Sequence, residues 1–174
     1  QIINHEAFQA YDGILKFQPR EAYTSAEFSS ENKINHFSFL RKLPESILKY
    51  FRMLYMNFNN YHIYDSRKIW EIILSNAYLK EQGLEDKHIF ESAYFEWDNT
   101  PRYGKKAKIF TRLSKSELQE NLVKLLSKAK GNNSPYVFFN AWNEWSESAY
   151  LEPDNKNGFE NLQIVSNSLK SFEK

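Results

Sequence analysis

Apolar residues along the chain fall alternately into short runs and into helical stripes. "AYDGILKFQP", Ala10 to Pro19, is an apolar run closed by a proline, which has no N–H to continue a sheet, and it reads as a buried strand. The polar stretch "REAYTSAEFSSENKIN" behind it reads as a long loop or insertion. Pro44 suits a first helical turn, with Ile47, Leu48, Phe51, Leu54 and Tyr55 at helical spacing after it. A second helix is predicted from an Asp65 N-cap, carrying Trp70, Ile73, Leu74, Ala77 and Tyr78 on one face and stopped by Gly83.

"HIFESAYFEWDNTPR" reads as a strand that breaks into a turn at Asp98-Asn99-Thr100-Pro101. Ser114 and Glu117 then form a capping box ahead of the stripe Leu118, Leu122, Leu125, Leu126 and Ala129. "KGNNSP" ends that helix and "YVFFNAW" is the next strand. A last helix follows Gly158, with Phe159, Leu162, Val165, Leu169 and Phe172 on one face. Strands alternating with helices predict an α/β fold of parallel βα units, organised as one domain over residues 1–174. Gln18, Arg20, the stretch 97–102 and the stretch 142–147 all lie where a strand gives way to a loop. Parallel-sheet enzymes keep their sites there.

Composition narrows the function classes. Lys and Arg are interspersed with Asp and Glu and leave a net charge of only +1, which argues against a nucleic-acid partner. With no cysteine, the chain has no disulfide, thiolate zinc site or thiol nucleophile, and it fits a reducing compartment, so a cytoplasmic setting is expected. No run approaches the ~18 apolar residues of a membrane span, and no secretory signal is visible. The chain opens on Gln1 rather than Met, so its true N-terminus is expected to lie outside the sequence. His5, His36, His62 and His88 show no metal-ligand spacing, and no Gly-rich phosphate loop, Asp-x-Asp pair or GxSxG elbow occurs. No cofactor or metal is expected; the expected partner is a glycan or sugar.

That expectation comes from two segments. In "YVFFNAWNEWSESAYLEP", Glu144 and Glu147 stand three apart and share a direction if the loop turns helically. Paired carboxylates suit glycosidic-bond chemistry, one donating a proton to the leaving oxygen and the other acting as base or nucleophile. Trp142 and Trp145 offer flat apolar faces for a sugar ring, and Asn143 a hydrogen bond to a hydroxyl. The plainer alternative makes the two acids surface charges and the tryptophans a cover. In "EWDNTPR", Trp97, Asp98, Asn99 and Arg102 suit vicinal hydroxyls or a carboxylate-bearing sugar. The alternative there is an Asx-Pro turn with Arg102 paired at the surface.

These segments also carry a resemblance. "FFNAWNEWSESAYLEPDNKNGFENLQ" resembles the C-terminal signature of WbsX-type proteins, known as glycosyltransferases of surface-polysaccharide biosynthesis. "YFEWDNTPR" and "YDGILKFQP" resemble two further motifs of that family, in the same order. The family in turn is similar to glycoside hydrolase family 99, whose members are (β/α)₈ TIM barrels. The resemblance implies that this chain is the C-terminal part of such a barrel, its N-terminal half lying outside the sequence. It implies a carbohydrate-active enzyme in bacterial surface-polysaccharide metabolism, a glycosyltransferase or a retaining glycoside hydrolase. Glu144 would be the general base assisting the sugar's own 2-hydroxyl, and Glu147 the general acid and then base. Trp97, Asp98, Asn99, Arg102, Trp142, Asn143, Trp145 and Tyr150 would bind substrate. The chain departs from the family's pattern at Ser148 and Glu96, where members commonly carry a small residue, often glycine. The alternatives are a non-catalytic carbohydrate-binding fragment and, last, a plain interaction domain.

Overall fold

The computed structural model describes residues 11–25, 62–75 and 87–173. The predicted helix behind Pro44, along with Ala77, Tyr78 and Gly83, lies outside them. The described elements run β1 (Gly13–Leu15), α1 (Arg20–Thr24), β2 (His62–Tyr64), α2 (Ser66–Leu74), β3 (His88–Ala93), β4 (Trp97–Asp98) and α3 (Thr100–Tyr103). They continue through β5 (Lys108–Phe110), α4 (Lys115–Gly131), β6 (Val137–Phe139), β7 (Asn143–Glu144), β8 (Ala149–Tyr150) and α5 (Glu160–Phe172). The fold is mixed α/β.

Two three-stranded sheets carry it. In the first, β3 is central and parallel to both neighbours, with Leu15 opposite Phe90 and Ser92 opposite Phe138. In the second, β5 is central, parallel to β2 and antiparallel to β4, with Tyr64 and Trp97 both opposite Phe110. The first sheet carries apolar residues on both faces, together with Lys16 and Glu91 on the covered one. Side-chain alternation turns Ile89 and Ala93 inward, both buried, and gives the other face Leu15, Phe90 and Phe138. Leu15 is 50% exposed and Phe138 42%, although the Phe90 and Phe138 rings meet edge-on at 6.1 Å.

The core lies on the covered face, where α2, α4 and α5 supply Ile69, Trp70, Ile73, Leu118, Leu122, Leu125 and Ile164. The high aromatic content goes largely here. Trp70 stacks on Tyr94 at 6.0 Å, Tyr64 on Phe110 at 5.1 Å, and the Tyr94 hydroxyl donates to Ser66 Oγ at 2.8 Å. Buried with them is a charge cluster. Glu91 is fully enclosed, and Lys16 Nζ lies 3.2 Å from each of its carboxylate oxygens. Lys128 Nζ lies 3.2 Å from Oε1 and also donates to the Ile73 and Ser75 carbonyls at 2.8 and 2.7 Å. Burial and the Lys16 charge lower the Lys128 ammonium to about 8, against the pull of Glu91. Burial also raises the neighbouring Glu21 carboxyl from the ordinary 4.5 to about 7, although Lys16 opposes it.

Several elements follow the sequence reading closely. The Asp65 side chain caps α2 by accepting from Arg67 N at 2.9 Å. Ser114 and Glu117 form the reciprocal capping box of α4, whose buried stripe is Leu118, Leu122, Leu125 and Ala129. Others differ. α1 forms at Arg20–Thr24, inside the stretch read as a loop, and β2 and β5 are strands the sequence reading did not contain. α2 stops at Leu74, because Ser75 turns extended and Lys128 takes the carbonyls that a further turn would use. α5 is rotated from its predicted stripe: it buries Asn161, Ile164 and Ser168, leaving Phe159 64% and Leu169 43% exposed. Asn161 sets that rotation, since its amide nitrogen donates to the Tyr150 carbonyl at 2.8 Å and its oxygen accepts from Arg112 at 2.7 Å.

Candidate active site

The chain segments that leave the carboxyl ends of β1, β3 and β6 converge on one cleft of about 510 Å³. After β1 come Phe17, Pro19, Arg20 and Tyr23; beyond β3 come Trp97, Asn99 and Tyr103; beyond β6 comes Glu147. The second sheet adds Lys108 and Phe110, with Lys106 just ahead of them. Period-two alternation explains that set. Phe110 lies directly opposite Trp97, and Lys108 exchanges hydrogen bonds with Asn99, its N–H donating to Asn99 Oδ1 at 2.7 Å. One face of β4–β5 therefore presents an indole, an amide, a phenyl ring and an ammonium together.

Both predicted acids are held by one guanidinium. Arg102 Nη1 donates to Glu147 Oε1 at 3.1 Å, and Nη2 to Glu144 Oε1 at 3.2 Å. The two halves of the predicted site, more than forty positions apart in sequence, are thus one cluster. Arg102 reaches it from α3, whose entry is fixed by Asp98 accepting from the Thr100 N–H at 2.8 Å and from its hydroxyl. Glu144 and Glu147 reach it because β7 pairs antiparallel with β8 and Trp145–Glu147 form a single 3₁₀ turn between them. Ser148 closes that turn in the left-handed region at φ 53°.

The two carboxylates sit in different surroundings. Glu147 is buried, with only 10% of its side chain accessible, and it lines the cleft; Glu144 is 35% accessible and also accepts from the Ser146 hydroxyl. Burial pushes the Glu147 carboxyl up, Arg102 pulls it down, and the nearby Glu144 charge adds to the rise. One acid is therefore biased toward keeping a proton beside another that is open to solvent and hydrogen-bonded.

The other sequence-predicted residues divide into two groups. Trp97 and Asn99 line the cleft, whereas Asp98 is spent on its turn. Trp142, Asn143, Trp145 and Tyr150 stand outside the cleft lining. Trp142 is 52% and Trp145 47% exposed. Trp145 stacks on Tyr150 at 4.0 Å and donates its Nε1–H to Glu152 at 2.8 Å. The Tyr150 hydroxyl donates to Asp154 at 2.7 Å, and burial together with that bond raises it to about 12. The sequence reading missed Phe17, Tyr23, Tyr103, Lys106, Lys108 and Phe110. The alternation Lys106, Lys108, Phe110 around a buried Ala107 was the available signal. Among the described residues, no group of His, Asp or Glu is placed to hold a metal ion, and no helix is long and apolar enough to cross a membrane.

The aromatic-walled, charged cleft thus lies at the carboxyl ends of parallel strands in a mixed α/β fold. The chain belongs to the WbsX glycosyltransferase family: the family model described as Glycosyltransferase WbsX matches residues 2–165. Two relatives, each an uncharacterized protein WxcX, come from two strains of Xanthomonas campestris pv. campestris. Each is 31% identical over 94 residues, covering 52% of this chain and 14% of the relative. The chain thus matches a small part of the curated relatives' length. No solved structure matches it.

Proposed function

We propose that this chain carries the acid–base pair of an enzyme that makes or breaks glycosidic bonds in bacterial surface-polysaccharide metabolism. The observation that carries the reading is the Arg102 clamp, which holds a buried Glu147 in the cleft beside the more open Glu144. Glu147 serves as general acid toward the leaving oxygen and then as base toward the incoming one. Glu144 acts as the base that draws the proton from a neighbouring sugar hydroxyl. Trp97, Tyr23 and Tyr103 give the sugar ring its apolar contacts, and Asn99 a polar one. With a second sugar as acceptor the outcome is transfer, in keeping with the family's description; with water it is hydrolysis.

In the full-length protein, Glu147→Gln should abolish turnover of the cognate glycan while leaving its binding intact. Unchanged turnover would overturn the assignment. A second reading, a binding surface without catalysis, is favoured by the exposed Trp145 indole stacked on Tyr150. It predicts that glycan affinity depends on Trp145 and survives loss of both acids.

The bare apolar face of the first sheet supports a further part of the proposal. A parallel sheet is apolar on both sides when both are covered. Leu15, Phe17, Tyr136 and Phe138 are each at least 42% exposed here. Residues 1–174 are accordingly the C-terminal portion of a larger (β/α)₈ barrel, in which this face meets strands from elsewhere in the full protein.

A further inference from the structure

The cleft's charge is unlike that of the chain as a whole. The protein is nearly neutral at +1, yet Lys106 and Lys108 both line the cleft, where Glu147 is the only anionic lining residue among the described residues. Glu147 is already matched by Arg102. The Lys108 ammonium lies 4.1 Å from the centroid of the Tyr23 ring, so it is positioned over an aromatic wall and not folded onto a carboxylate. Lys106, exposed at the cleft edge, makes no ion pair among the described residues. Alternation along β5 puts Lys108 on the side that carries Phe110 and faces Trp97, and Lys106, in the turn just ahead of the strand, lines the same cleft. Lys106 and Lys108, with no ion pair among the described residues and with stacking surfaces beside them, are suited to a ring that bears negative charge.

We propose that the cleft selects an anionic saccharide, one whose ring rests near Trp97 and whose carboxylate or phosphate ester lies between Lys106 and Lys108. A neutral hexose would leave these two ammonium groups without a counter-charge in a partly closed cleft, whereas an acidic sugar supplies one. This inference rests on the reading of the cleft as the sugar site, and it names the chemical class of the sugar. Lys106 and Lys108 would be specificity residues, with no part in the proton-transfer step assigned to Glu147.

The test is calorimetric titration of the full-length protein with three trisaccharides of one linkage: a uronate, a phosphorylated form and the neutral parent. Uridine diphosphate serves as a fourth ligand. At least one charged trisaccharide should bind about tenfold more tightly than the neutral one. The advantage should shrink as salt rises and disappear in Lys106→Met/Lys108→Met, in which charged and neutral trisaccharides should bind alike. Preference for the uronate alone, or for the phosphorylated form alone, would identify which anionic group is read. Equal binding of all three, an advantage that survives the double variant, or uridine diphosphate binding as tightly as the charged sugars would each overturn the proposal. Because the readout is affinity, failure here is separate from failure of the acid–base assignment, which would show as retained turnover in Glu147→Gln.

Discussion

Replacing Glu91 by glutamine removes one negative charge from a site that holds two ammonium groups. Glu91 is 0% exposed and Lys16 3%, and the Lys128 side chain is 11% accessible. At an effective dielectric near 20, each 3.2 Å contact is worth about 5 kcal/mol of gross attraction. Most of that is offset, because the variant no longer has to desolvate a carboxylate; breaking a buried pair from one side typically costs about 3–5 kcal/mol net. The two lysines would then face one another unscreened. Lys128, already lowered to about 8, would fall further and shed its proton more readily. The loss should therefore be larger below that pH than above it. Urea unfolding of the full-length protein, followed by tryptophan fluorescence, measures both effects. A loss below about 1 kcal/mol, or one independent of pH, would refute the view that Glu91 neutralises the cluster. Glu91→Leu with Lys16→Met should recover much of the stability, since an apolar pair then fills the space and Lys128 keeps its two carbonyl partners.

Other outcomes follow from neighbouring features. Folding holds the Glu21 proton up to about pH 7, while the unfolded chain releases it near 4.5, so the folded state binds more protons across that window and stability should fall as pH rises through it. Glu21→Gln should flatten this dependence, and parallel pH curves for the two proteins would show that Glu21 has no such part. Ser148→Gly should raise stability by about 0.5–1 kcal/mol in the same unfolding measurement, because the left-handed backbone at φ 53° burdens any residue with a Cβ. A destabilised glycine variant would mean that the serine hydroxyl matters more than its backbone. Arg102→Met removes the cation that lowers the Glu147 carboxyl, so the alkaline limb of the pH–rate profile should move upward. A limb that stays in place would separate Glu147 from the titrating acid.

Local signals in the chain proved readable, and long-range ones did not. The Ser114–Glu117 box and the Asp65 cap are decided by residues within a single turn, and both stand where the sequence puts them. β2 and β5 escaped because, unlike the equally short β1 and β6, they do not sit in a longer apolar run: His62–Tyr64 and Lys108–Phe110 lie between polar stretches. The end of α2 depends on Lys128, more than fifty positions away, and the rotation of α5 depends on Arg112 holding Asn161. Neither partner is visible from the segment it controls. The acids and Trp97 were legible as strand-end chemistry. That Arg102 would bridge Glu144 and Glu147 was not, because only the fold brings α3 against the 3₁₀ turn. The indoles of Trp142 and Trp145 were expected to wall the cavity; Trp97 does so instead, together with rings from β5, α1 and the end of α3.

The bridge made by Arg102 also bears on how this protein can be re-engineered. Loops that hold a shared counter-ion cannot be exchanged independently: importing a homologue's segment around residues 142–147 while retaining residues 96–102 leaves the guanidinium matched to the wrong geometry. The two stretches form one cassette, to be transplanted or diversified together, and libraries that randomise either one alone will mostly sample mismatched pairs.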